Sequence, residues 1–106
     1  MELGEMARKT KETNSLILKT GAKPFPIEAW VADLLEEAGE LARAVLEKEG
    51  YKKQRGESLE DALCDTLFAL FMIADYYGID IGKEYQKILE QIKGRALRKE
   101  WVVRRK

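Results

Sequence analysis

The chain has no histidine, a single cysteine, one asparagine, three glutamines and two prolines in 106 residues. Without histidine the usual zinc sites and the Glu-x-x-His di-iron bundles are excluded. Any metal would have to be held by oxygen donors, which suit magnesium or manganese. The lone Cys64 cannot close an internal disulfide and lies in an apolar run, so a buried, inert thiol in a reducing cytosol is expected. No signal peptide is legible, and no uninterrupted apolar stretch approaches about 18 residues. Neither export nor a membrane span is therefore expected, and the chain is assigned to the cytoplasm. Basic and acidic residues balance at 19 each. No global field draws in nucleic acid or an anionic membrane, and neither is expected as a partner. Internal repeats, low-complexity tracts and convincing strands are also missing. Charge is plentiful at 36% of residues, which with the scarcity of amides is a composition found in thermophiles.

This length predicts one domain, 1–106, with a single modest core. The periodicity predicts an all-α fold. A first helix over about 2–18 is weakly amphipathic through Leu3, Met6, Leu16 and Ile17, and Gly21 stops it. Lys23-Pro24-Phe25-Pro26 is a stiff extended approach, with Pro26 suited to the first helical turn. A second helix runs from about 27 to 48 and ends before Gly50. Trp30, Val31, Leu34, Leu35, Ala38, Leu41, Ala42 and Val45 cover one face of it. Ser58 is a good N-cap for a third helix over about 59–77, with Gly78 as its stop. That helix is apolar almost all round, which implies burial on every side. One subunit of this size cannot easily supply such burial, so a homo-oligomer is expected. A fourth helix begins near Asp80-Ile81, repeats Tyr85, Ile88, Leu89 and Ile92, and weakens at Gly94. A basic tail over 94–106 follows, with Arg95, Arg98, Lys99, Arg104, Arg105 and Lys106.

Acids gather at 33–40 and 57–65. Helices two and three, joined by a short loop, should form an antiparallel hairpin. Counted from the turn at about 1.5 Å per residue, Glu40 and Asp65 lie at the same height. Glu37 is one turn below Glu40, and Asp61 is one turn above Asp65. The hairpin therefore assembles Glu37, Glu40 and Asp65 readily, and Asp61 less comfortably. Carboxylates that converge without a lysine or arginine beside them raise one another's pKa unless a cation is bound. Magnesium is the natural choice, with manganese as an alternative, and a nucleotide phosphate is its natural partner. Glu36, turned about 100° from the ligands, would contact a second metal or position a water.

The stretch Leu34-Leu35-Glu36-Glu37-Ala38-Gly39-Glu40-Leu41-Ala42 resembles the E-E-x-x-E motif of the MazG-like nucleotide pyrophosphohydrolases. Cys64-Asp65-Thr66-Leu67-Phe68, with Ala74-Asp75-Tyr76-Tyr77-Gly78-Ile79-Asp80 after it, resembles the second half of that pattern, and the likeness covers about 27–92. The resemblance implies an all-α dimer or tetramer, a four-helix bundle completed by oligomerisation. It also implies magnesium-dependent hydrolysis of nucleoside triphosphates to monophosphates and pyrophosphate, often as house-cleaning of the nucleotide pool. By the same resemblance Glu37, Glu40 and Asp65 are metal ligands and Glu36 belongs to the site. Two positions depart from the pattern. Ala62 stands where the E-x-x-D motif would place a glutamate, and Lys93-Gly94-Arg95 lacks an asparagine often found there. Asp61 is then a replacement ligand, or the homologue is catalytically weakened and serves as a nucleotide-binding or assembly module.

Plainer readings stand beside these. Glu36, Glu37 and Glu40 could form a solvated helix face near Arg43 and Lys48. Asp61 could simply close a capping box with Ser58. Asp65, with Phe68, Ala69 and Met72 around it on the wheel, could be a buried carboxylate salt-bridged to a base. Lys52, Lys53 and Arg55 are candidates to bind triphosphate, or a solvated loop. Trp30, Phe68 and Phe71 are core residues or stacking platforms. A purely structural helical dimer is a third reading of the chain.

Overall fold

Glycine ends the first three helices. In the computed structural model, which describes residues 2–102, α1 runs Leu3–Lys19, α2 Ile27–Lys48, α3 Leu59–Tyr76 and α4 Ile81–Leu97. No strand occurs among the described residues. After α2, the Gly50 N–H donates to Glu47 O (3.1 Å) and the Tyr51 N–H to Leu46 O (2.8 Å). After α3, Gly78 and Ile79 repeat the pattern on Asp75 and Ala74. Both are Schellman closures, and they need the left-handed backbone that Gly50 (φ 84°) and Gly78 (φ 65°) adopt without a Cβ clash. Helix starts are equally local. The Ser58 hydroxyl accepts the Asp61 N–H at 3.1 Å, and Asp80 Oδ1 accepts the Lys83 N–H at 3.1 Å. Pro26 is the N-cap of α2 rather than its first helical residue, with φ −69°.

Helix α2 packs against α3 as the expected hairpin, while α1 packs on α3 and α4. Among the described residues the buried hydrophobic ones are Ala44, Ala62, Ala69, Phe71, Met72 and Ala74. This core is mostly alanine, which lets the backbones approach closely but buries little apolar area. Gly82 serves the same end at the α1–α4 contact. A Cβ there would lie 2.9 Å from Gly4 N and 3.3 Å from Gly4 Cα, inside contact distance of rigid backbone. Lys11 Nζ of α1 meets Asp75 Oδ1 of α3 at 3.4 Å.

The chain is elongated, with a radius of gyration of 17.6 Å, against about 13 Å for a compact domain of this length. Helix α4 bends away from α3 by 107°. A single chain is therefore not a closed bundle, and within it two expectations of burial, at Cys64 and at Asp65, are corrected. The outer face of α3 is open, with Leu63, Leu67 and Leu70 between 41% and 52% exposed. Cys64 on that face is exposed rather than buried, and Asp65 is exposed as well. Asp65 lies apart from these leucines, in the wall of a cleft that α1 and α2 also line.

The fourth helix also runs past Gly94, which was expected to weaken it. The turn after α4 is pinned from outside. The Arg95 guanidinium stacks 4.8 Å over Trp101, and Arg98 Nη2 pairs with Glu100 Oε2 at 2.7 Å. These contacts offset the loss of about 1 kcal/mol that glycine brings to a helix interior. Arg104, Arg105 and Lys106 of the expected tail lie outside the described residues. Among the described residues, no single helix is long and apolar enough to cross a membrane.

Candidate metal centre and adjoining cleft

The α2–α3 hairpin brings three carboxylates together: Glu37 from α2, Asp65 from α3, and Glu57 from the loop between them. One oxygen of each lies within 4.8 Å of the other two. Oxygens on one magnesium ion at about 2.1 Å stand about 3.0 to 4.2 Å apart, a spacing close to the limit within which these three lie. The donors are all hard oxygens. Among the described residues no lysine or arginine forms an ion pair with Glu36, Glu37, Glu40, Glu57, Asp61 or Asp65. The donor set fits a divalent cation by number, spacing and chemistry.

Electrostatics record the crowding. Glu37 has its pKa raised above the ordinary 4.5, first by burial, then by Asp33, Asp65, Glu36 and Glu40. Glu57 is raised as well, chiefly because its protonated carboxyl donates a hydrogen bond to Asp65. Burial and the charges of Asp65, Glu37 and Glu40 add to that. Each neighbour opposes the loss of a proton that a bound cation would favour.

The expected site residues fall in different places. Glu37 and Asp65 converge. Glu40, one turn along α2, stays outside the triangle but near enough to raise both Glu37 and Glu57. Glu36 is exposed beside it. Asp61 is exposed and outside the triangle, and its backbone N–H takes part in the cap that Ser58 provides. The reading of Asp65 as half of a buried salt bridge does not hold, because its partner is Glu57 and it is exposed. Of the alternative reading of Glu36, Glu37 and Glu40 as a solvated face near Arg43 and Lys48, Glu36 and Glu40 are exposed, while Arg43 Nε donates to Glu47 Oε1 at 3.1 Å.

Glu57 was missed. It lies at the end of a loop, where no helical period places a side chain. The two residues before it are tied to Glu47, whose side chain is 2% exposed. Glu47 Oε1 accepts the Arg55 N–H (3.2 Å) and the Gly56 N–H (3.3 Å) as well as Arg43 Nε. Burial opposes the Glu47 charge, yet these three donors together hold its pKa below the ordinary 4.5. The chain is thus returned to the level of Glu47 by residue 56, and α3 begins beside α2 rather than beyond its end.

A cleft of about 350 Å³ opens beside the triangle, and Glu37 and Asp65 are in its wall. Three aromatic rings line the same cleft. Phe25 and Trp30 lie 4.9 Å apart by centroid, and Trp30 and Phe68 6.1 Å, all tilted. Trp30 and Phe68 therefore line this cleft, whereas Phe71 is core at 4% exposure. Asn14, Asp33 and Lys23 are its other polar groups. Lys52, Lys53 and Arg55 are not among the lining residues; the cation present is Lys23, from the stiff segment before α2.

The MazG nucleotide pyrophosphohydrolase domain matches residues 25–98. Among solved structures the chain is similar to YpjD from Bacillus subtilis, described as a candidate pyrophosphatase. The identity is 29% and the TM-score 0.68, over 85% of this chain and 94% of that one. No curated protein matches.

Proposed function

Since this chain belongs to the MazG nucleotide pyrophosphohydrolase family, we propose that it is a magnesium-dependent nucleoside triphosphate pyrophosphohydrolase. It would cut between the α and β phosphates to give a monophosphate and pyrophosphate. The observation that carries this reading is the union of two features in one place. Glu37 and Asp65 form part of a carboxylate triangle without an ion-pair partner, and the same two residues wall a cleft that Phe25, Trp30 and Phe68 also line.

A triphosphate has the complementary layout, a planar base at one end and metal-seeking oxygens at the other. The cleft volume falls within the usual range for small-molecule sites. The base would lie among Phe25, Trp30 and Phe68, with Lys23 near the phosphates. Glu37 and Asp65 would hold the metal, with Glu40 drawn in as the triangle closes, and Glu36 would orient water or serve a second ion. A metal held by these residues would supply electrostatic stabilisation of the charge that develops as pyrophosphate leaves. Lys52, Lys53 and Arg55 keep at most a steering role from their exposed loop.

We also read the working form as a homo-oligomer. Leu35 at 69%, Leu63 at 52% and Leu97 at 75% exposure are hard to reconcile with an isolated chain in water. The second functional reading, a non-catalytic nucleotide-binding homologue, is favoured by one observation, Ala62 in place of the motif glutamate. One assay separates the two. A panel of triphosphates is incubated with magnesium or manganese, and pyrophosphate release is followed for the wild type, Glu40→Gln and Asp65→Asn. Release lost in Asp65→Asn supports catalysis at this centre. Unchanged release in both variants moves catalysis elsewhere, and no release by the wild type leaves the binding module.

A further inference from the structure

Position 62 is closed. Ala62 is 0% exposed, and it offers no donor where the second motif of the family would place a carboxylate. The centre nevertheless holds three converging oxygens, because the loop supplies one. We propose that Glu57 is a metal ligand that replaces the glutamate missing at position 62, and that Glu47 is the residue that positions it.

The loop geometry carries the argument. Glu57 is fixed on both sides. On one side the N–H groups of Arg55 and Gly56 are tied to Glu47 Oε1 at 3.2 and 3.3 Å. On the other, Ser58 is committed to capping α3 through the Asp61 N–H. Between these anchors the Glu57 side chain reaches the Asp65 carboxylate, close to Glu37. Glu47 has no direct part in the triangle, since its Oε1 is spent on three donors. Its burial follows from that task. Asp61, the nearest acid in sequence to position 62 on the face of Asp65, is left outside. The replacement has come from the loop rather than from the helix.

This inference rests on the metal-centre reading above, and the experiment separates the two. Manganese alone is titrated into the intact chain, bound and free ion being distinguished by electron paramagnetic resonance, with circular dichroism melts confirming folding. Glu57→Gln should weaken manganese binding on the order of 10-fold or more, and Glu57→Asp should recover part of the loss. Glu47→Gln should weaken it as well, by about 10- to 100-fold, as expected of a residue supporting a ligand. In the Glu57→Gln background it should add almost nothing, because both changes remove the same ligand. Glu57→Gln should fold, since it relieves repulsion, so the test survives if Glu47→Gln does not. If Glu57→Gln binds manganese as the wild type does while Asp65→Asn does not, the proposal is overturned and the metal centre stands. If Asp65→Asn also binds normally, both fall.

Discussion

Neutralising Glu37 should raise the stability of the metal-free protein and remove most of its response to magnesium. The two effects have opposite signs and one cause. Glu37 and Asp65 have oxygens no farther apart than 4.8 Å. Two unit charges at that distance repel by about 0.9 kcal/mol in bulk water and about 3.5 kcal/mol at an effective dielectric of 20. Asp65 is exposed and Glu37 half-buried, so screening favours the lower figure, about 1 kcal/mol. Glutamine has nearly the helix propensity of glutamate, so Glu37→Gln changes little else in α2. The melting temperature in chelator should rise by about 4 to 8 °C. Wild type, by contrast, should gain about 2.7 kcal/mol at a magnesium concentration 100 times the dissociation constant, and the variant only a small part of that. Differential scanning fluorimetry, with and without magnesium, reads both quantities. High salt should shrink the chelator difference, since the Debye length is about 3 Å at 1 M. If Glu37→Gln melts lower than wild type in chelator and keeps the full magnesium shift, Glu37 belongs to an ordinary solvated face.

Metal-free stability should fall as pH rises from 4.5. Glu37 and Glu57 have raised pKa values in the fold, so the folded state keeps protons there that the unfolded chain has released. Glu47 acts in the other window: its contribution is complete above 4.5 and lost as pH falls through its lowered value. Urea midpoints across this range should therefore peak near the ordinary carboxylate pKa, and excess magnesium should abolish the decline on the alkaline side; a flat profile counts against the crowding. Gly82→Ala should destabilise by about 1 to 3 kcal/mol, because the new methyl meets Gly4 backbone. Gly39→Ala, with nothing within 4 Å of its Cβ, should stabilise by about 0.5 to 1 kcal/mol. Equal signs in denaturation would refute the α1–α4 contact. Phe71→Ala should lose about 3 to 5 kcal/mol, as Phe71 is the one buried aromatic among the described residues, and a loss under about 1 would put the core elsewhere.

The helices were legible because their ends are written locally. Gly50, Gly78, Ser58 and Asp80 stop or start a helix through bonds spanning three to five residues, and such bonds need no tertiary partner. Burial was not legible in the same way. A helical wheel shows that Leu63, Cys64 and Leu67 lie on an apolar surface of α3, but not whether this chain or another covers it. The hydrophobic effect is non-directional. The sequence pattern is the same for a face turned to its own core and for one awaiting a partner. The end of α4 illustrates the reverse case. Gly94 argues locally for a break, and contacts further along, Arg95 with Trp101 and Arg98 with Glu100, overrule it.

At the centre, Glu37 and Asp65 could be read from motif spacing, and Glu57 could not. The difference lies in how each is positioned. Helical residues inherit their place from a period, so their relative register follows once two helices are known to pair. The loop is not periodic, and part of it is tied to one buried acid, Glu47. Counting residues from the turn assumes that α3 begins where α2 ends, and it puts Glu40 level with Asp65. Glu47 breaks that assumption by holding the Arg55 and Gly56 N–H groups beside α2. The same loop delivers Glu57. The basic loop read as a phosphate clamp thus contributes through backbone amides, with Arg55 giving its N–H rather than its charge. An alanine at position 62 looks like a lost ligand only while the loop is treated as a spacer. With the loop as a donor, the number of converging carboxylates is restored by a residue that no spacing rule between the two helical motifs would find.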